Sequence, residues 1–160
     1  MERSLSKIVL THPIHFLAFG FGSGLSPKAP GTVGTVVAVI FYLLLSQLSL
    51  IAYLGMLLIT FAVGIYLCGY SSKLLGVHDH GGIVWDEFVG YWITMLIAPS
   101  GWEWIIIGFI LFRLFDILKP FPIHYFDKNL HGGLGIMIDD VIAGGFAWVC
   151  LQFIAYGVAV

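Results

Sequence analysis

Four short stretches carry nearly all the polar chemistry of this chain: GSGLSPKAPGTVGT at 22–35, VHDHGGIVWDE at 77–87, FRLFDILKPFPI at 112–123 and HGGLGIMIDD at 131–140. Two of them end in paired carboxylates, Asp86-Glu87 and Asp139-Asp140. Carboxylate oxygens are the ligands that a hard divalent cation such as Mg2+ selects, with waters completing its octahedron. A plainer account is that acids in the first turn of a helix complement its dipole, for ~0.3–1 kcal/mol each. That account needs one acid per helix, and neighbouring like charges repel. A charge inside an apolar span costs ~2.5–3.5 kcal/mol on insertion scales, so four at its edge call for a compensating cation. Asp86, Glu87, Asp139 and Asp140 are therefore the candidate metal ligands.

The third stretch supplies the opposite charge. Arg113, Asp116 and Pro120 follow i, i+3, i+7 spacing and share one helix face, with Lys119 adjacent. A cation at a helix end can snorkel to the interface, which accounts for Lys119. Arg113 lies more than a turn deeper and needs an anionic partner, either Asp116 or a bound phosphate. The glycine- and proline-rich stretch at 22–35 leads directly into an apolar run. A glycine turn opening a helix offers free backbone N–H groups to an anion, although Pro and Gly are also ordinary turn formers. Its spacing is not that of a Walker A loop. His78 and His80 flank Asp79, seven residues ahead of the Asp86 pair, and His80 is the candidate acid among the histidines. Cys68 and Cys150 lie inside apolar runs and read as packing residues.

The elements that must position these groups follow from composition. Of 160 residues, 59% are hydrophobic and 10% charged, and the mean hydropathy is +0.99. Soluble domains run nearer 45–50% apolar and about 25% charged. Seven Lys and Arg against nine Asp and Glu give a net charge of −2 and no field for nucleic acid. High hydrophobicity and two cysteines exclude disorder and a disulfide scaffold. The expected fold is all-α: a polytopic membrane helical bundle forming a single domain over 1–160. A bilayer core ~30 Å thick needs about 20 apolar residues per helix. The run 32–70 has no charge and is long enough for two spans, broken at the polar SQLS of 46–49. Expected spans are 32–47, 50–70, 83–98, 102–118 and 137 to the C-terminus, with 8–21 forming an interfacial or re-entrant helix. All seven basic residues then fall on one side, which the positive-inside rule makes the cytoplasm, with the N-terminus inside. Every carboxylate except Glu103, and all six histidines, share that side. The rule does not explain acids and imidazoles there. The tryptophans are expected mostly at the interfaces.

APGT at 29–32, VHDHGGIVWDE, FRLFDILKP and GGLGIMIDD, in this order, resemble the phosphatidylglycerophosphatase A family over about 20–145. The resemblance implies a compact helical bundle set into the bacterial inner membrane. It implies Mg2+-dependent removal of the terminal phosphate of phosphatidylglycerophosphate, giving phosphatidylglycerol, at the cytoplasmic face. On that reading Asp86, Glu87, Asp139 and Asp140 hold one or two Mg2+, and Asp116 either joins them or orients Arg113. Arg113, Lys119 and Lys28 clamp the phosphate, with the Gly31 and Thr32 backbone assisting, and His80 protonates the leaving oxygen. The partner is the phospholipid in the membrane; no nucleic acid and no obligatory protein partner is expected.

Other phosphatase chemistries fit less well. Six residues after Cys68 stands Leu74 rather than the Arg of a thiol phosphatase, and no D-x-D-x-[TV] occurs. Pro99-Ser100-Gly101 is followed by Trp102, not by the histidine of a P-S-G-H element. An ion-coupled transporter, or a lipid-binding protein without turnover, is the alternative class. For a transporter the difficulty is that the half opposite the charged face offers only Glu103, and no inverted repeat is apparent.

Overall fold

The computed structural model describes residues 2–77 and 80–159, without the side chains of 2–4, 127, 128 and 159. His78 and Asp79, and the side chains of Arg3 and Lys128, lie outside the described residues. Proline and glycine punctuate the helices. His12 is extended and Pro13 takes the first helical position, so the 8–21 segment is not one helix. It divides into α1 (Glu2–Thr11) and α2 (Pro13–Ala18), followed by a 3₁₀ turn, Ser23–Leu25. Pro30 opens α3 (Pro30–Leu45), and the Ser49 side chain accepts from the Ala52 N–H to cap α4 (Leu50–Leu75). Gly76 ends α4 in the left-handed conformation. Then follow α5 (Trp85–Thr94), α6 (Trp102–Leu118), α7 (Ile123–Asn129) and α8 (Gly132–Ala159). No strand occurs among the described residues.

Two helices among the described residues, α4 and α8, are long and apolar enough to cross a membrane. Five full spans are not what the helix lengths show. α3 has 16 residues, α6 has 17 and α5 only 10, or about 24, 26 and 15 Å. The 83–98 run reads as a span because a core helix is as apolar as a lipid-facing one. Here α5 is enclosed by other helices, and with the turn after it the run still carries the chain from the polar end of the bundle to the end where Trp92 and Leu96 meet Tyr53 and Trp148. Eight of the ten α5 residues are buried, and α3, α4, α6 and α8 all pack against it. The chain leaves α5 at Met95 and turns through Ile97, at φ 52°, and Gly101, at φ 138°. Trp85, Trp92 and Trp104 are buried among helices and Trp102 is exposed, with Trp85, Trp102 and Trp104 in the first turns of α5 and α6.

Small residues set the helix spacing. A Cβ on Gly144 of α8 would lie 2.3 Å from the Gly90 carbonyl oxygen of α5, and one on Gly133 would lie 1.8 Å from the Ile65 carbonyl oxygen of α4. Such close backbone approach is how helices associate where burial against lipid gains nothing. Because the obstacle is backbone, Gly133→Ala should destabilise the protein by about 3 kcal/mol, read as a fall in melting temperature in detergent. An unchanged midpoint would show that α4 and α8 separate freely. At one end of the bundle the Tyr53 hydroxyl donates to the Trp92 carbonyl at 2.7 Å, and Trp148 Nε1 donates to the Leu96 carbonyl at 2.8 Å. The start of α5 lies at the other end, with the polar residues.

Candidate active site

Asp86 and Glu87 occupy the first turn of α5. That turn is held by the segment before α3: the Val84 N–H donates to the Ala18 carbonyl at 2.9 Å, and Gly24 packs against Gly82. Asp140 reaches the same point from α8. One oxygen from each of Asp86, Glu87 and Asp140 lies within 4.8 Å of the others. Asp116 joins the group from α6 through Arg113. Arg113 ion-pairs with Asp116 through Nη1, and the same nitrogen lies 3.7 Å from Glu87 Oε1. Gly31, at the start of α3, closes the ring. A Cβ there would lie 2.2 Å from Glu87 Oε1 and 3.1 Å from Arg113 Nη1.

Asp86 and Asp140 are only 8% and 2% exposed. Asp86 Oδ1, Glu87 Oε2, Asp140 Oδ2, Asp139 Oδ1 and Arg113 Nε are buried and make no hydrogen bond. Buried carboxylate oxygens without donors are costly, and bringing like charges together adds repulsion. Four carboxylates face one guanidinium here. An all-oxygen donor set of three converging carboxylates, each with one unpaired buried oxygen, fits a hard divalent cation, with Asp86, Glu87 and Asp140 as its holders.

Asp139 is placed differently. Lys119 Nζ donates to Asp139 Oδ2 at 2.5 Å, and Asp139 is not among the three converging acids. Successive residues on a helix point about 100° apart, so Asp139 and Asp140 face different neighbours. Glu87 joins Asp86 nonetheless, its longer side chain meeting Arg113. Helix α8 starts at Gly132, so Asp139 and Asp140 lie beyond its first turn and dipole complementation does not explain them.

The remaining candidates lie around this centre. Thr32 is half-buried next to Gly31, and the Thr35 hydroxyl donates to the Gly31 carbonyl at 2.8 Å. Lys28 is exposed in the loop before α3. His80 packs its ring on Phe19 and accepts the Gly82 N–H at Nδ1, 3.0 Å away, in the wall of a separate cavity.

Sequence reasoning missed His15, which is 2% exposed and hydrogen-bonded through Nδ1 to the Ser71 hydroxyl at 2.8 Å, tying α2 to α4. Burial, with His12 beside it, pushes its pKa below 6.5. No local pattern announces a pair 56 positions apart.

Comparison with known proteins identifies the family. Residues 16–155 match the family model described as phosphatidylglycerophosphatase A. The chain is 47% identical to the Escherichia coli (strain K12) protein named phosphatidylglycerophosphatase A, over 94% of this chain and 88% of that one. It is 52% identical to the protein of the same name from Haemophilus influenzae, over 95% and 94% respectively. No solved structure matches. The match spans the helices that carry Gly31, Asp86, Glu87, Arg113, Asp116 and Asp140, and the chain belongs to the phosphatidylglycerophosphatase A family.

Proposed function

We propose that the protein hydrolyses the terminal phosphate monoester of phosphatidylglycerophosphate, releasing phosphatidylglycerol and inorganic phosphate, with Mg2+ as cofactor. The observation that carries this reading is the buried Asp86–Glu87–Asp140 cluster, with unpaired oxygens, beside Arg113 and the Gly31 backbone. A divalent cation held there would supply Lewis acidity toward the phosphoryl group and lower the pKa of an attacking water.

The chain's own groups do the rest. Arg113 faces the cluster with a charge matched to phosphate oxygens, and Asp116 holds its guanidinium in place. Burial keeps bulk water out, so each of these charges acts at a lower dielectric than in solvent. Phosphate monoesters are among the slowest substrates to react unaided, so charge neutralisation must supply much of the barrier reduction. Lys119, paired to Asp139 next to Asp140, sets the positive edge on the α6 side, and Lys28 adds charge on the α3 side.

In the membrane we read α3, α4, α6 and α8 as crossing, with α5 and the turn after it carrying the chain from the acid-bearing end to the opposite one, where residues 96–102 meet the end of α3 and the start of α4, and with the N-terminus in the cytoplasm. Large exposed apolar side chains such as Leu44, Ile51, Leu58, Ile110 and Phe153 support a lipid-facing surface. The basic residues at the acid-bearing end support a cytoplasmic site. Phosphate release from phosphatidylglycerophosphate in detergent micelles tests the proposal. Full activity with Mg2+, loss on adding EDTA and recovery on restoring Mg2+ are expected. Undiminished turnover in EDTA would remove the cation, and absence of phosphate release would remove the substrate.

A further inference from the structure

Beside the acid cluster lies a cavity of about 580 Å³ that the chemistry above does not use. Its wall includes Gly24, Ser26, Pro27 and Pro30 from the loop before α3, and His80 and Gly81 from the segment before α5; α1 closes the far side. Pro30 is the immediate neighbour of Gly31, which touches Glu87 and Arg113, so the cavity reaches to within one residue of the cluster. Its size is that of a small-ligand site.

We infer that this cavity receives the glycerol and phosphodiester that join the scissile phosphate to the lipid, and that His80 binds this headgroup rather than protonating the leaving oxygen. The inference rests on the function proposed above. A terminal phosphate held at the acids leaves the rest of the headgroup to be housed next to them, in a space whose mainly apolar wall carries Ser6, Ser26 and His80 as its polar side chains. His80 fits that task through its tautomer. Its Nδ1 accepts the Gly82 N–H, so in the neutral ring Nε2 carries the proton and is a donor. A donor there suits a hydroxyl or phosphodiester oxygen, and Phe19 supports the ring at a centroid distance of 5.7 Å. Lys28, exposed between Pro27 and Pro30, supplies a cation beside the same wall.

Gly81 gives a way to block the cavity without disturbing the fold. A Cβ there meets nothing within 4 Å, and the residue is not among the positive-φ glycines. The test compares purified wild type, G81F, H80A and H80Q on phosphatidylglycerophosphate in mixed micelles, with orthovanadate as an inhibitor that occupies the phosphate position alone. G81F should melt with the wild type and raise KM at least tenfold, with the vanadate inhibition constant within twofold of wild type. H80A should raise KM by about the same factor, and H80Q, whose amide can donate from near the Nε2 position, should restore most of it. Wild-type KM in a folded G81F or in H80A would overturn the inference. So would parallel losses of substrate and vanadate affinity, which would place the effect at the phosphate position. Wild-type enzyme without phosphate release would instead overturn the functional reading, and the headgroup assignment with it.

Discussion

Replacing Asp86 or Asp140 by Asn is expected to lower kcat at least ~10³-fold, about 4 kcal/mol of transition-state stabilisation, while the protein stays folded. Both residues are nearly isosteric with Asn, so packing around them is kept. Each has a buried oxygen without a hydrogen bond, and each stands close to other carboxylates. Removing one charge relieves repulsion that a cation would otherwise have to offset. In EDTA the variants should therefore melt at or above the wild-type temperature. Adding Mg2+ should raise the wild-type midpoint, because a ligand that binds only the folded state stabilises it, and should leave the variants nearly unmoved. Asp139→Asn makes the contrast. Its partner is Lys119, so it should lose stability yet retain the Mg2+-induced shift. Wild-type-like turnover in both Asp86→Asn and Asp140→Asn would remove the metal assignment.

That contrast between neighbours shows what sequence can and cannot reveal about such a site. The pairing of acids with a deep arginine was legible, because charges inside apolar runs are few and each asks for a partner. Helix limits were legible at the start of α4, after the polar SQLS, and at the end of α6, before Pro120; the start of α3 at Pro30 and the run of α4 to Gly76 were not. The division of labour within Asp139-Asp140 was not, because it depends on the rotation of α8 about its axis. That rotation is fixed by close backbone approaches at Gly133 and Gly144. The glycines at 132–133 read as a turn, yet Gly133 lies inside α8 because only a residue without a side chain fits against the Ile65 carbonyl. The short length of α5 was not legible for a related reason. An apolar stretch is the same string of letters whether lipid or protein surrounds it, and ten residues inside four other helices need no membrane length. The role of His80 was open on spacing alone. The turn that lets its Nδ1 accept from Gly82 directs it to the cavity wall.

Gly31→Ala is the second large effect, expected as a ~10²-fold loss of kcat with no loss of stability. In the first turn of α3 alanine is intrinsically better than glycine by roughly 0.5–1 kcal/mol, so the helix itself favours the change. The added methyl would meet Glu87 Oε1 at 2.2 Å and Arg113 Nη1 at 3.1 Å. Both atoms are the far ends of flexible side chains, and they can yield where a backbone carbonyl cannot. The strain is thus relieved by moving the two groups that the site needs in place, and a displacement of about 1 Å in a reacting constellation costs on the order of 10²-fold. Gly133→Ala, with backbone in the way, should show the reverse pattern of lost stability. Measuring kcat and melting temperature for both variants separates a glycine that admits the site from a glycine that admits a neighbouring helix. A Gly31→Ala enzyme with wild-type kcat would show that Glu87 and Arg113 need not stand where the structure holds them, and the account of phosphate binding at the start of α3 would fail with it.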